Sequence, residues 1–247
     1  MRTFGLIGYP LGHSFSKKYF TEQFQREKIT DSSYELFPLE NINEIAELLD
    51  TQSGLKGLNV TIPYKLQVMP FLDELDQAAE KIGAVNCISI TDVAGKRHLK
   101  GFNTDAYGFE CSIKPFLQPH HTHALILGDG GAAQAVKYVL DNLGVIWKSV
   151  LRKPADNAFL FSDLNAEMMK QYQIIINTTP LGTFPAIETA PEIPYEFLTN
   201  QHLAYDLVYN PEITTFLRLA AEKGAAIKNG KEMLELQADR SWYIWNN

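Results

Sequence analysis

Cysteine is nearly absent: only Cys87 and Cys111 occur, without C-x-x-C spacing. That excludes a disulfide-stapled scaffold and a thiolate zinc site, and two free thiols in a reducing cytoplasm is the simplest account. No apolar run approaches the ~18 residues of a membrane span, so no transmembrane helix is expected. Positive charge is in deficit. Lys and Arg number 22 against 29 Asp and Glu, a formal net charge of −7. A general nucleic-acid or anionic-membrane surface is excluded on that balance, and any anionic ligand needs a local site. The lead before Phe4-Gly5-Leu6-Ile7-Gly8 is too short for a secretory segment. His120, His121 and His123 share one short stretch with no thiol or carboxylate close by in sequence, which predicts an exposed loop and no metal centre. No internal repeat or low-complexity segment is visible.

The 247 residues, 45% of them hydrophobic, suffice for two modest domains or one large one. The first part alternates apolar runs with helical patterns. Strands are expected at Phe4–Gly8, Tyr34–Leu39 and Gly57–Ile62, with a hairpin of Asn86–Thr91 and Lys96–Gly101 turning at Ala94-Gly95. Helices are expected through Phe20 and Phe24 behind Ser14 or Ser16, after Asn41 with Ile42, Ile45, Ala46 and Leu49 inward, over Asp73–Ile82, and from about Thr104. This order predicts a mostly parallel sheet with helices on its faces.

Ala124-Leu-Ile-Leu-Gly128-Asp129-Gly130-Gly131-Ala132-Ala133 is the most informative stretch. A short apolar run breaks at Gly128, and a helical pattern follows through Ala132, Val136, Val139, Leu140 and Leu143. Gly128, Gly130 and Ala133 fit G-x-G-x-x-G/A between strand and helix, the turn that brings a dinucleotide's pyrophosphate to a helix N-terminus. An NAD site places a carboxylate roughly 20 residues on, after the second strand. Here Trp147–Leu151 is followed by Arg152 and Lys153, with no carboxylate before Asp156. Two cations there favour a 2′-phosphate, hence NADP(H). Further strands are expected at Ile174–Asn177, His202–Asp206 and Ala225–Lys228, with a helix carrying Ile213, Phe216, Leu217, Ala220 and Ala221 on one face before the last. Pro185–Pro194 is expected to be a surface loop, and Lys231–Trp245 an amphipathic helix.

Four clusters in the first half carry polar groups at expected strand ends. They are Gly8-Tyr-Pro-Leu-Gly-His-Ser14-Phe-Ser16, Asn59-Val-Thr61-Ile-Pro-Tyr-Lys65, Gly83-Ala-Val-Asn86 and Gly101-Phe-Asn103-Thr104-Asp105-Ala-Tyr-Gly108. Taken singly, each has a plain structural use. Ser14 or Ser16 can cap a helix, Lys65 can be a surface lysine, Asn86 can fix a turn, and Thr104 or Asp105 can cap.

In this order and ahead of the glycine turn, the clusters resemble the shikimate dehydrogenase family. Asn177-Thr-Thr-Pro-Leu-Gly182, Tyr205-Asp-Leu-Val-Tyr209 with Pro211 and Thr214, and Gly230-Lys-Glu-Met-Leu-Glu-Leu-Gln237 extend the resemblance over nearly the whole chain. It implies NADPH-dependent reduction of 3-dehydroshikimate to shikimate, in aromatic amino-acid biosynthesis in the cytoplasm. It implies two α/β domains with the active site in the cleft between them. One is a substrate domain of residues 1–108 completed by a C-terminal helix at 232–247; the other is a Rossmann-like NADP domain of 109–231. Lys65 and Asp105 would be the catalytic pair. Ser14 and Ser16 would hold the substrate carboxylate, and Thr61, Asn86, Asp105, Tyr209 and Gln237 the ring hydroxyls. Gly128, Asp129, Gly130, Gly131, Ala132, Arg152, Thr178, Leu207 and Gly230 would line the cofactor site. The expected partners are small molecules, with neither nucleic acid nor membrane, for a monomer or homodimer.

The chain departs from the family's pattern in places. The usual proline after the second serine is Lys17, Asn-Arg-Thr after the second cofactor strand is Leu151-Arg152-Lys153, and the threonine after Asn86 is Cys87. A Gly-Met pair is Gly182-Thr183, and the small residue inside the glycine turn is Asp129, a carboxylate that repels a pyrophosphate unless it points away. The chemistry fits the residues: ketone reduction builds negative charge on oxygen, which a lysine ammonium stabilises and protonates. Two alternatives stay open at this point, a relative that also oxidises quinate or uses NAD and a non-catalytic NADP-binding regulator.

Overall fold

The computed structural model describes residues 1–12 and 14–247, and the chain divides into two units: Met1–Thr104 with Ala238–Asn247, and Asp105–Gln237.

The first unit holds β1 (Arg2–Gly8), α1 (Phe15–Arg26), β2 (Ser32–Pro38), α2 (Ile45–Thr51), β3 (Leu55–Val60), β4 (Glu74–Leu75), α3 (Gln77–Ile82), β5 (Cys87–Val93) and β6 (Lys96–Phe102). Its sheet runs β2-β1-β3-β5-β6-β4. β1 is parallel to β2 and β3, while β5 runs antiparallel to β3 and β6. The β5–β6 turn places Ala94 and Gly95 at φ 51° and 78°, the left-handed pair that matches the twist of a two-residue hairpin. Asp73–Ile82 is not one helix. Asp73 accepts the N–H of Leu99 at 2.8 Å, which ties this stretch to the sheet edge as β4. The helix starts only where Asp76 accepts from Ala79 N–H, and it ends at Gly83 in the left-handed region. Asn41 caps a short 3-10 turn at Ile42–Glu44 rather than α2 directly, and Ile45 and Leu48, not Ala46, face inward.

The last turns of α8 (Lys231–Asn246) complete this unit's core. Trp245 stacks on Phe4 at 4.9 Å between centroids, and its indole N–H donates to the Ile88 carbonyl at 2.9 Å. Gly57 has no side chain because the Trp245 indole occupies that space.

The second unit starts with α4 (Thr104–Ile113), whose first residue belongs to the other unit. It continues with β7 (His123–Leu127), α5 (Gly131–Asn142), β8 (Ile146–Leu151), β9 (Ala158–Leu160), α6 (Ala166–Gln171), β10 (Ile174–Asn177), β11 (Leu203–Asp206), α7 (Thr215–Ala221) and β12 (Ala226–Lys228). All six strands are parallel in the order β12-β11-β10-β7-β8-β9. Counted from β7 this is 3-2-1-4-5-6, the doubly wound order whose topological switch point lies between β7 and β10. β7 and β10 are buried along nearly their whole length, as strands covered on both faces must be. Ala133, Ala135, Val136, Val139 and Leu140 are the buried residues of α5; Ala132 and Leu143 are not. His121 is buried at 7% exposure, not in an exposed loop, and its ring Nε2 lies 3.1 Å from the Gln201 carbonyl. Among the described residues no cluster of His, Cys, Asp and Glu could hold a metal ion. Among them, too, no helix is long and apolar enough to cross a membrane.

Candidate active site

In the first unit the candidate residues lie near one end of the sheet's central strands. β1 and β3 both end there, with Ile7 beside Val60, and Cys87 at the start of β5 pairs with Asn59. Ser14 caps α1 by accepting the Lys17 N–H at 3.4 Å, so its own O–H remains a donor for an anion at the helix start. Gly8 lies against the Thr61 methyl, where a Cβ would collide, and the Thr61 N–H bonds the Ile7 carbonyl at 2.9 Å. Lys65 stands in the turn that follows. Its carbonyl accepts the Val85 N–H at 2.8 Å, and the Tyr64 hydroxyl donates to the Leu39 carbonyl at 2.6 Å. The backbone carrying Lys65 is thereby tied on one side to the segment that delivers Asn86 and on the other to the end of β2.

Asn86 is 3% exposed and fixes the entry to α4: its Oδ1 accepts the Thr104 N–H at 2.6 Å and its Nδ2 donates to Thr104 Oγ1 at 3.0 Å. Behind it runs a buried polar chain that sequence reasoning missed. Tyr34 donates to Asn59 Oδ1 at 2.8 Å, and Asn59 Nδ2 donates to Ser241 Oγ at 2.9 Å and to the Asn86 carbonyl at 3.3 Å. Ser241 in turn lies 3.2 Å from the Thr104 hydroxyl. Ser16 bonds the Tyr34 hydroxyl, and burial pushes that phenol well above its usual range. The available signal was Asn59, an amide inside the apolar run Leu58–Val60.

In the second unit Asp105 sits in the first turn of α4 at 8% exposure. One turn on, Gly108 lies against the Met233 carbonyl and Gln237, so α4 and α8 approach closely. This brings Asp105 and Gln237 onto neighbouring helix faces; Gln237 donates to the Leu234 carbonyl at 2.9 Å. Tyr209, 38% exposed, follows β11.

The cofactor candidates stand at or just beyond the C-terminal ends of the parallel strands. Gly128 ends β7 at φ 109°, a conformation that favours glycine, and a Cβ there would meet Thr178 Oγ1 at 2.8 Å. Thr178, just past β10, donates its hydroxyl to the Leu127 carbonyl at 2.8 Å, closing the switch point from the other side. Gly130 is different. Its backbone, φ −78° and ψ −177°, suits any residue, and a Cβ would meet nothing within 4 Å. The protein's own packing does not require a glycine there, whereas a diphosphate approaching the backbone does. Gly130 is also the N-cap of α5, so no side chain at the cap accepts the helix's first N–H groups. The turn therefore fits a dinucleotide. Arg152 and Lys153 are exposed past the end of β8. Leu207 touches Gly230, where a Cβ would strike the Leu207 backbone.

Beneath Leu207, Asp206 is fully buried. It accepts from Asn177 Nδ2 at 2.9 Å, Val208 N–H at 3.0 Å and Thr214 Oγ1 at 2.6 Å. Burial raises its carboxyl to about 6 despite these bonds.

A doubly wound parallel sheet with an open glycine turn at its switch point defines a dinucleotide-binding protein. Residues 6–88 match the family model described as the shikimate dehydrogenase substrate binding domain. The shikimate dehydrogenase (NADP+) of Carboxydothermus hydrogenoformans is 37% identical, over 98% of this chain and 90% of its own. That of Methanosphaera stadtmanae is 33% identical over the same shares. The shikimate 5-dehydrogenase of Thermus thermophilus, solved in complex with NADP(H) and shikimate, superposes with a TM-score of 0.85 at 30% identity, over 99% of this chain and 93% of that one. The chain belongs to the shikimate dehydrogenase family.

Proposed function

We propose that this chain catalyses the reversible NADPH-dependent reduction of 3-dehydroshikimate to shikimate, a step of aromatic amino-acid biosynthesis. The observation that carries this reading is similarity to NADP+-dependent shikimate dehydrogenases over 98% of the chain, so that both the substrate-side clusters and the glycine turn are included. We assign substrate binding to residues 1–108 with the helix at 232–247, and cofactor binding to 109–231. The protein works in the cytoplasm as a monomer or homodimer on two small molecules, with no nucleic-acid or membrane partner.

The nicotinamide, when bound, supplies or takes the hydride. The chain's own residues bind, orient and move one proton. Ser14 and Ser16 donate hydroxyls to the substrate carboxylate, aided by the positive end of α1. Thr61, Asn86, Tyr209 and Gln237 hold ring hydroxyls, and the Asp105 carboxylate accepts from one of them. The Lys65 ammonium lies at the carbonyl oxygen, stabilises the negative charge that builds there, and gives that oxygen its proton. The backbone of the glycine turn from Gly128 to Ala132 would hold the pyrophosphate, Arg152 would pair with the 2′-phosphate, and Thr178, Leu207 and Gly230 would line the remainder.

An absorbance assay at the nicotinamide band tests this. Shikimate with NADP+ should produce reduced cofactor, and replacing NADP+ by NAD or shikimate by quinate should slow it. Absence of turnover with shikimate and either nucleotide would reject the assignment.

A further inference from the structure

Asp129 lies inside the glycine turn, where a carboxylate opposes the expected ligand. Its side chain is half-exposed and forms an ion pair with Lys137, and the same oxygen accepts from Gln134 Nε2 at 3.1 Å. Gln134 and Lys137 are three residues apart on α5, so they share a face, in the helix's second turn. Both draw the carboxylate back along the flank of the helix, away from the N–H groups of its first turn. Lys137 is itself held. Only 15% of its side chain is exposed, its ammonium lies 5.1 Å from the Trp147 ring centroid, and the Trp147 indole N–H donates to Asp141 at 2.7 Å. Asp141 stands one turn beyond Lys137 on the same helix, so its bond holds the Trp147 ring against the lysine ammonium.

We propose that Lys137 is a positioning residue that holds the Asp129 carboxylate off the dinucleotide's pyrophosphate and thereby sets the affinity for NADP(H). The inference rests on the cofactor assignment made above. An ion pair whose carboxylate is half-exposed contributes little to stability, so fold maintenance alone gives no account of a lysine lodged between helix and tryptophan. Released from Lys137, Asp129 is free to swing toward the first turn, where it competes with the phosphates for the same N–H groups and repels their charge. The effect is specific to this chain's use of an aspartate in the turn, and it vanishes when that aspartate is removed.

The test is a double-mutant cycle on the full chain, with the dissociation constant of NADP+ measured by isothermal titration calorimetry and the melting temperature of the unliganded protein recorded beside it. Lys137→Ala should raise the dissociation constant about tenfold at low salt, and less as salt screens the repulsion. The KM for shikimate at saturating NADP+ should stay within about twofold, since only the cofactor's charge is opposed. Asp129→Ala should bind NADP+ at least as tightly as the parent, and Asp129→Ala/Lys137→Ala should recover to within about threefold of Asp129→Ala, as expected for strongly coupled neighbours. Parent-like NADP+ affinity in Lys137→Ala overturns the inference while leaving the cofactor assignment standing. A double variant as weak as Lys137→Ala also overturns it, because the lysine would then act on the phosphates without Asp129. Failure of the unaltered chain to bind NADP+ overturns the cofactor assignment and this inference together.

Discussion

Lys65 owes its place to backbone bonds on either side of it. The Val85 N–H and the Tyr64 hydroxyl fix the turn whatever the lysine side chain does. Lys65→Ala is therefore expected to fold, and to lower kcat by roughly 10²–10⁴ while KM for shikimate moves far less, because a proton donor acts mainly in the transition state. Steady-state kinetics at saturating NADP+, with folding checked by circular dichroism, reads this; an unchanged kcat with a raised KM would remove Lys65 from the chemistry. Arg152 is exposed and belongs to binding. Arg152→Ala should weaken NADP+ by about 1.5–3 kcal/mol and leave NAD nearly untouched, a loss measurable by titration with each nucleotide. At this scale the left-handed Gly128 and the helix cap Ser14 were legible because each has a local job written in neighbouring residues. Tyr34 and Ser241 were not, since their bonds to Asn59 span 25 and 182 positions and only the fold brings them together. The partners of Asp129 were likewise hidden: residues five and eight positions on meet it only once α5 has wound.

The segment after β11 is anchored by one buried carboxylate. Asp206 gathers Asn177 from the end of β10, Val208 from its own turn and Thr214 from the cap of α7. Burial outweighs these bonds and lifts its carboxyl from 3.8 to about 6. Between those values the native chain holds a proton that the unfolded chain has released. Asp206 therefore favours the folded state fully below about pH 3.8, and that contribution fades as pH rises through 6, by roughly 3 kcal/mol in all. Asp206→Asn stays neutral throughout. The stability of the parent minus that of Asp206→Asn, from urea unfolding, should fall between pH 4 and 6.5; a flat difference would show that Asp206 is not the titrating group. A second element-scale expectation concerns Gly57, which seats the Trp245 indole. Gly57→Ala should overpack that seat and cost about 1–3 kcal/mol in denaturant unfolding, whereas an unaltered midpoint would mean that α8 shifts freely. The long helices α5 and α8 were legible from their apolar spacing, and β7 from its unbroken apolar run. β4 and β9, of two and three residues, carry no period of their own and exist only as edge partners of β6 and β8.

Across the whole molecule, the chain passes between its two units twice, in α4 after Thr104 and in α8 after Gln237. The second unit is one continuous stretch with a complete doubly wound sheet, so it has everything needed to fold on its own. The first is not continuous. Its core depends on Ala238 and Trp245 from the last ten residues, and its buried polar chain depends on Ser241. A chain ending at Gln237 loses the Trp245 stack on Phe4, the indole bond to Ile88 and the Ser241 acceptor for Asn59. Loss of a buried tryptophan alone costs about 3–5 kcal/mol, and loss of the Ser241 hydrogen bond to Asn59 adds about 0.5–1.5. Together these approach the ~5–15 kcal/mol that holds a whole domain folded. The truncated chain is thus expected to lose shikimate turnover and to be cut by protease within residues 1–104, while residues 105–237 resist digestion and keep their affinity for NADP+. Mass spectrometry of the digest and calorimetric titration with NADP+ read the two halves separately. Protection of both stretches after truncation would show that the first unit folds without the end of α8.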